Sequence, residues 1–206
     1  MNEHFDAVVV GSGFGGSVMS HTLTEAGLRV CLLERGAAYP PGRFPRSPAD
    51  TARNFWDPSG KLYGLFDVWS FRSSEAIVAS GLGGGSLIYA NVLMRRPPEW
   101  FDENRSKGAW PLSYADLEPH YDAVEAVLQP QAFPTTPEYR ALPKVAAFRE
   151  AAQRAGLQPV ATPLGVAFAN EGEPPRPGAP LRETVANLHG AHRSTCRLCG
   201  ECDIGC

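Results

Sequence analysis

An α/β fold is predicted by three features that follow one another at the start of the chain. The first is a run of strand formers, Ala7-Val8-Val9-Val10. The second is a glycine-rich turn, Gly11-Ser12-Gly13-Phe14-Gly15-Gly16, after which Met19, Leu23 and Ala26 recur at helical spacing. The third is another apolar run from Arg29 to Leu33, reached through Gly27 and ending at Glu34. Strand, helix and strand in that order make a βαβ unit whose turn carries G-x-G-x-x-G.

Each part of that turn has a physical task in a Rossmann-like, dinucleotide-binding unit. Gly11 permits the tight turn, Gly13 lets the main chain approach a pyrophosphate, and Gly16 lets the helix lie close to the strand. The helix N-terminus offers unpaired N–H groups and the positive end of a dipole to an anion. Glu34, eighteen residues after Gly16, is placed to accept a ribose hydroxyl. Arg35 beside it suggests a 2′-phosphate partner, but Glu34 would repel that phosphate, so NADP is disfavoured. The unit alone does not separate FAD from NAD.

The rest of the composition narrows the class. The chain has 206 residues, 43% apolar content and a formal charge of −3 from 19 basic and 22 acidic residues. That length and content suffice for a sizeable core, and that charge offers no basic field for nucleic acid or anionic membrane. No apolar stretch is long enough to span a bilayer, and MNEHFD enters the first strand without a signal-peptide core. The expectation is a cytoplasmic protein, in which Cys31 is a small buried hydrophobe within the second strand.

Beyond Gly36, residues 37 to 60 carry so many turn formers that a long irregular excursion is expected. Residues 61 to 80 turn to aromatic and β-branched types and predict short strands joined at Arg72-Ser73-Ser74-Glu75. A second glycine-rich stretch follows, Ser80-Gly81-Leu82-Gly83-Gly84-Gly85-Ser86, continuing to Asn91. It is not another dinucleotide turn, because Ser86 stands where the third glycine belongs and Arg95-Arg96-Pro97-Pro98 is no strand. Its main chain serves either as an anion nest or as a bare surface on which a flat ring lies.

Further on, Ser113 and Asp116 form a capping box for a helix over 114–128, whose Leu117, Tyr121, Val124 and Leu128 are expected in the core. Pro143 opens another helix that presents Val145, Phe148, Ala152 and Ala155 on one face and closes at Gly156. His120, His189 and His192 are isolated histidines and read as surface or structural residues. The chain ends in Cys196, Cys199, Cys202 and Cys206 with the spacing C-x2-C-x2-C-x3-C. That spacing is that of a bacterial iron–sulfur run, with a tetrahedral zinc site and metal-free thiols as the alternatives.

Four stretches together, GSGFGGS at 11–17, LERG at 33–36, GLGGGSLIYANVLMR at 81–95 and WPLSYADLEPHYDAVEAVL at 110–128, resemble the glucose–methanol–choline (GMC) oxidoreductase family. Within it they are most similar to the bacterial cholesterol-oxidase-like branch. The resemblance implies FAD held by Gly11, Gly13, Gly16 and Glu34 at its adenosine end and by Gly83, Gly84, Gly85 and Ser86 nearer the flavin. Phe14, Gly15, Arg35 and Asn91 complete the candidate set, Asn91 standing two places beyond the position where many relatives carry Asn-Gly. It further implies oxidation of a CH–OH group of an alcohol, with a sterol as a candidate substrate, and an electron acceptor such as oxygen, a dye or a redox protein. The competing readings are an NAD-dependent dehydrogenase and an electron-carrying module built on the cysteine run, which would hold a 4Fe-4S cluster.

The same resemblance sets an expectation for organisation: an FAD-binding region over 1–130 and the beginning of a substrate domain over 131–206. Family members continue further and carry their catalytic pair, a histidine with an asparagine or a second histidine, in that later part, which no residue here matches. The sequence is therefore expected to be the N-terminal portion of a flavoenzyme, inactive by itself.

Overall fold

The computed structural model describes residues 4–101, 111–182 and 192–205. They fall into two compact units, one of residues 1–90 with 200–206 and one of residues 91–199.

In the first unit, β1 (Ala7–Val10) and β2 (Val30–Leu33) pair in parallel, Ala7 opposite Val30 through to Val10 opposite Leu33. The helix α1 (Phe14–Glu25) connects them. Parallel pairing needs such a crossover, and here the helix supplies it. Gly13 is the N-cap of α1, and Gly27, at φ +82°, turns the chain out of the helix, its N–H donating to the Thr24 carbonyl at 2.9 Å. The turn into the helix is equally constrained. A Cβ on Gly16 would lie 1.9 Å from the Gly11 carbonyl oxygen, so only glycine fits there. The strand begins at Val30, one residue later than expected; Arg29 instead uses its carbonyl to accept from Asp6 and Ala7.

The excursion over 37–60 is more regular than its composition suggests. It contains a helix, α2 (Pro48–Arg53), and the strand β3 (Trp56–Asp57), which pairs antiparallel with β4 (Leu62–Tyr63). The helix forms because Ser47 accepts the Asp50 N–H at 3.1 Å while Pro48 stands in the first turn, where its missing N–H costs nothing. The hairpin expected over 61–80 is β5 (Phe66–Ser70) and β6 (Glu75–Ala79), paired antiparallel from Phe66–Ala79 to Ser70–Glu75.

The core of this unit lies at the base of that hairpin. Phe44, Leu65 and Ala79 are buried, with Tyr39, Phe66, Leu87 and Ile88 packed around them. The βαβ unit contributes little to it. No residue of α1 is buried, and Val10 is 83% exposed, so the strands carry apolar side chains on a face that nothing in this unit covers. The sizeable core inferred from composition is therefore small among the described residues.

The second unit contains α3 (Tyr114–Leu128), β7 (Gln131–Ala132), α4 (Pro137–Arg140), α5 (Pro143–Arg154) and β8 (Pro163–Leu164), with β7 and β8 antiparallel. The Ser113–Asp116 capping box is formed in both directions. Arg95 ties the preceding segment to α3 through Glu125 at 2.6 Å and Asp122 at 2.7 Å. Tyr139 and Phe168 are buried and meet Phe133 in three mutual edge-to-face contacts with ring centroids 5.5 to 5.8 Å apart. Gln131 fastens this cluster by accepting the Phe168 N–H at 2.6 Å and donating to the Ala169 carbonyl at 3.1 Å. The apolar stripe of α3 is not core: none of its residues is buried, and Val124 and Leu128 are more than two-fifths exposed. The same holds for α5, where Phe148 is exposed. Periodicity places these residues on one face, but the described residues of the second unit do not bury it.

Candidate nucleotide-binding site

The two glycine-rich stretches meet in the first unit. Gly13 and Gly84 approach so closely that a Cβ on Gly84 would stand 2.7 Å from the Gly13 Cα. The second stretch forms a 3-10 turn over Gly84–Leu87, entered through Gly83 at φ +116° and Gly84 at φ +57°. Phe14, at the start of α1, covers its far side: its ring touches the space beside Gly85 and meets Tyr89 edge-to-face at 5.6 Å.

The N-terminus of α1 is left open to a ligand. Gly13 offers no capping side chain, no acidic residue stands in the first turn, and the N–H groups of Phe14, Gly15 and Gly16 have no acceptor within the helix. An anion meets the positive end of the helix dipole there. The second stretch behaves differently. The Gly83 N–H donates to Ser12 Oγ at 2.9 Å, the Gly84 N–H to the Gly81 carbonyl at 2.8 Å and the Ser86 N–H to the Gly83 carbonyl at 3.4 Å. Those three N–H groups already have acceptors within the protein, so of the two sequence-based readings the geometry favours a bare main-chain surface over an anion nest.

Glu34 stands at the end of β2, beside the first turn. Its Oε2 accepts from the Ser12 N–H at 2.9 Å and from Ser12 Oγ at 2.6 Å, and its Oε1 accepts from the Gly36 N–H at 2.9 Å. Burial raises the carboxyl's pKa, but the Ser12 hydroxyl and the main-chain N–H groups of Gly36, Ser12 and Arg35 outweigh it and hold Glu34 below the ordinary glutamate value. The acid is therefore ionised at neutral pH, as an acceptor of ribose hydroxyls requires.

Arg35 points to a different task from Glu34. Its guanidinium donates to Asp67 at 2.5 Å and to Ser80 at 2.7 Å and lies 4.6 Å over the Trp56 ring. These contacts bind the end of β2 to the hairpin β5–β6. Asp67 and Ser80 are both buried. Sequence reading singled out neither them nor Ser12; the one available signal was a charged residue inside an otherwise aromatic and β-branched strand. Asn91 lies in the second unit, in a left-handed conformation at φ +58°, where its carbonyl accepts the Gly165 N–H at 2.7 Å.

Of the histidines, His120 on α3 and His192 are exposed, and His189 lies outside the described residues. Among the described residues no group of three or more His, Cys, Asp or Glu side chains is gathered to hold a metal ion. Cys196 and Cys199 carry free thiols, and Cys206 lies outside the described residues. The 4Fe-4S cluster suggested by the cysteine spacing is therefore not supported among the described residues. No described helix is long and apolar enough to cross a membrane.

A parallel strand pair joined by a helix with a glycine-lined, uncapped N-terminus and a terminal acid defines an α/β protein with the features of a nucleotide-binding module. The family model described as GMC oxidoreductase matches residues 5–168, and the chain belongs to that family. It is 33% identical to a cholesterol oxidase of Mycobacterium tuberculosis over 208 residues, which is 100% of this chain and 35% of that protein. A cholesterol oxidase of Acinetobacter baumannii is also 33% identical, over 100% of this chain and 36% of its own length. A gluconate 2-dehydrogenase flavoprotein of Pantoea cypripedii is 32% identical over 59% of this chain and 25% of its own length. The chain thus spans about a third of the length of the cholesterol oxidases it matches.

Proposed function

We propose that this chain forms the Rossmann-like, FAD-binding part of an oxidoreductase that oxidises the CH–OH group of an alcohol, with sterols the first substrate class to try. The observation that carries the reading is the meeting of the two glycine-rich stretches, with Gly13 against Gly84 and no space for a Cβ on Gly84. One long cofactor gripped at both ends uses such a pair; a single NAD turn does not require the second stretch. Family membership supports FAD in the same way, and the relatives named for cholesterol oxidation support the alcohol class.

The residues present fit the cofactor. The N–H groups at the start of α1 receive the phosphates, Glu34 accepts from the ribose, and the main chain over Gly83, Gly84, Gly85 and Ser86 offers a side-chain-free surface. Bound flavin supplies a hydride acceptor. The chain's own contribution is to fix that cofactor, to keep Glu34 ionised, and to exclude bulk at Gly16 and Gly84.

Titrating the 206-residue chain with FAD and with NAD, read by flavin fluorescence and by calorimetry, tests the proposal. FAD is expected to bind and NAD to bind at least tenfold more weakly. Tight NAD binding without FAD binding would replace this reading with that of a nicotinamide-dependent dehydrogenase.

A further inference from the structure

The structure assigns Ser12, the variable residue inside the first glycine turn, a positioning role: its hydroxyl couples Glu34 to the second glycine stretch. This inference rests on the FAD reading for what the coupling serves, but not for its existence.

Ser12 is 2% exposed and every polar group it has is engaged. Its carbonyl accepts from Ser17 Oγ at 2.7 Å, and its N–H donates to Glu34 Oε2 at 2.9 Å. Its Oγ accepts the Gly83 N–H at 2.9 Å and lies 2.6 Å from Glu34 Oε2. The direction of the hydroxyl is fixed by its partners. A main-chain N–H can only donate and an ionised carboxylate can only accept, so the single hydroxyl proton goes to Glu34 and the lone pair faces Gly83. The link spans 71 residues of sequence.

Two consequences follow. Glu34 is held on one side by the Ser12 N–H and hydroxyl and on the other by the Gly36 N–H, so its carboxylate is fixed in place before any ribose hydroxyl arrives. And the carboxylate that would meet the ribose is tied, through one oxygen atom, to the glycine whose placement sets the second stretch against Gly13. A ligand touching only Glu34 and the α1 N-terminus needs the first half of this link; a ligand extending to the second stretch needs both halves.

Ser12→Ala in the 206-residue chain removes the hydroxyl while keeping the space filled. In the unliganded chain, amide hydrogen exchange at Gly83 should accelerate at least tenfold, whereas Leu82, whose N–H donates to the Ala37 carbonyl, should be unchanged. FAD binding should weaken by roughly tenfold, the loss of one charge-assisted hydrogen bond, and ADP binding by less. Ser12→Cys, whose thiol is a weak donor and acceptor, should fall between the two, and it serves in place of Ser12→Ala if the latter does not fold. Unchanged Gly83 exchange would overturn the link. Equal weakening of FAD and ADP would reduce Ser12 to a support for Glu34 alone and overturn the coupling. If the wild-type chain binds neither ligand, the FAD reading fails, and Gly83 exchange still decides whether the link exists.

Discussion

Gly84 lies on Gly13 with no room for a methyl group: an added Cβ would stand 2.7 Å from the Gly13 Cα, and Gly84 already needs φ +57°. Gly16 is tighter still, at 1.9 Å from a backbone oxygen, whereas Gly15, its neighbour, has nothing within 4 Å. These three positions give a graded series. Gly16→Ala forces α1 away from β1 and should destabilise the chain by about 2–4 kcal/mol, the scale of overpacking and backbone strain. Gly84→Ala should cost about 1–3 kcal/mol. Gly15→Ala should be neutral or stabilising by roughly 0.5–1 kcal/mol, because alanine is the better helix former. Urea unfolding of the unliganded variants checks the order; a Gly16→Ala chain as stable as Gly15→Ala would contradict the close approach.

Glu34 makes a pH prediction whose sign is set by its lowered pKa. A carboxyl held below its ordinary value of 4.5 in the folded chain contributes stability that is fully present above that value and is lost as pH falls through the lower, folded value. Glu34→Gln cannot titrate, so it should be less stable than the wild type at neutral pH by an amount that shrinks on acidification from pH 4.5 downward. Thermal melts of both chains between neutral and acidic pH measure that difference, which cancels the shared contributions of Asp50 and Asp116, also held low by their serine partners. A difference independent of pH would mean that Glu34 is not held ionised by Ser12 and Gly36.

Arg35 is a structural corner in this unit, and its removal should show as lost stability. Its side chain is 48% exposed but Asp67 only 12%, so Arg35→Ala leaves a carboxylate with little solvent and without its guanidinium. A cost of roughly 1–2 kcal/mol is expected after allowing for solvent screening on the arginine side. Asp67→Asn together with Arg35→Ala should recover part of that loss, since the stranded charge is gone. Chemical denaturation of the single and double variants checks both statements, and equal stability of Arg35→Ala and the wild type would remove the corner.

What could be read from the sequence was what acts over short range. The glycine turn and the Ser113–Asp116 cap depend on residues a few positions apart, and the strands β1 and β2 are joined through a single helix, so each is legible. The helix α2 is hidden because the many prolines and polar residues over 37–60 mask Ser47-Pro48 and Asp50, whose serine cap resembles that of α3. The site's internal wiring was not legible at all. Ser12 reaches Gly83, and Arg35 reaches Asp67 and Ser80, across 71, 32 and 45 residues. Burial was misjudged for a related reason. A periodic stripe such as that of α3 says which residues share a face, but coverage depends on what the remainder of the fold lays against them.

The last expectation concerns turnover. Alcohol oxidation needs a group that takes the hydroxyl proton, and general acid–base catalysis contributes typically about 10²–10⁴-fold. Within the unit that contains the glycine-rich stretches, the described histidines are His4 and His21, both exposed. His21 is seven residues into α1 from Phe14, about 10 Å along the helix axis from the end where the glycines lie. Glu34 is ionised but committed to Ser12 and Gly36, and a carboxylate held below its ordinary value is a weak base. Neither the position nor the basicity needed for proton abstraction is met by these groups. The 206-residue chain saturated with FAD is therefore expected to bleach no dye acceptor above background when given sterols or simple primary and secondary alcohols. Flavin-dependent turnover that survives His21→Ala but disappears in His120→Ala or His192→Ala would assign the base to the second unit instead and reverse the reading of those histidines as surface residues.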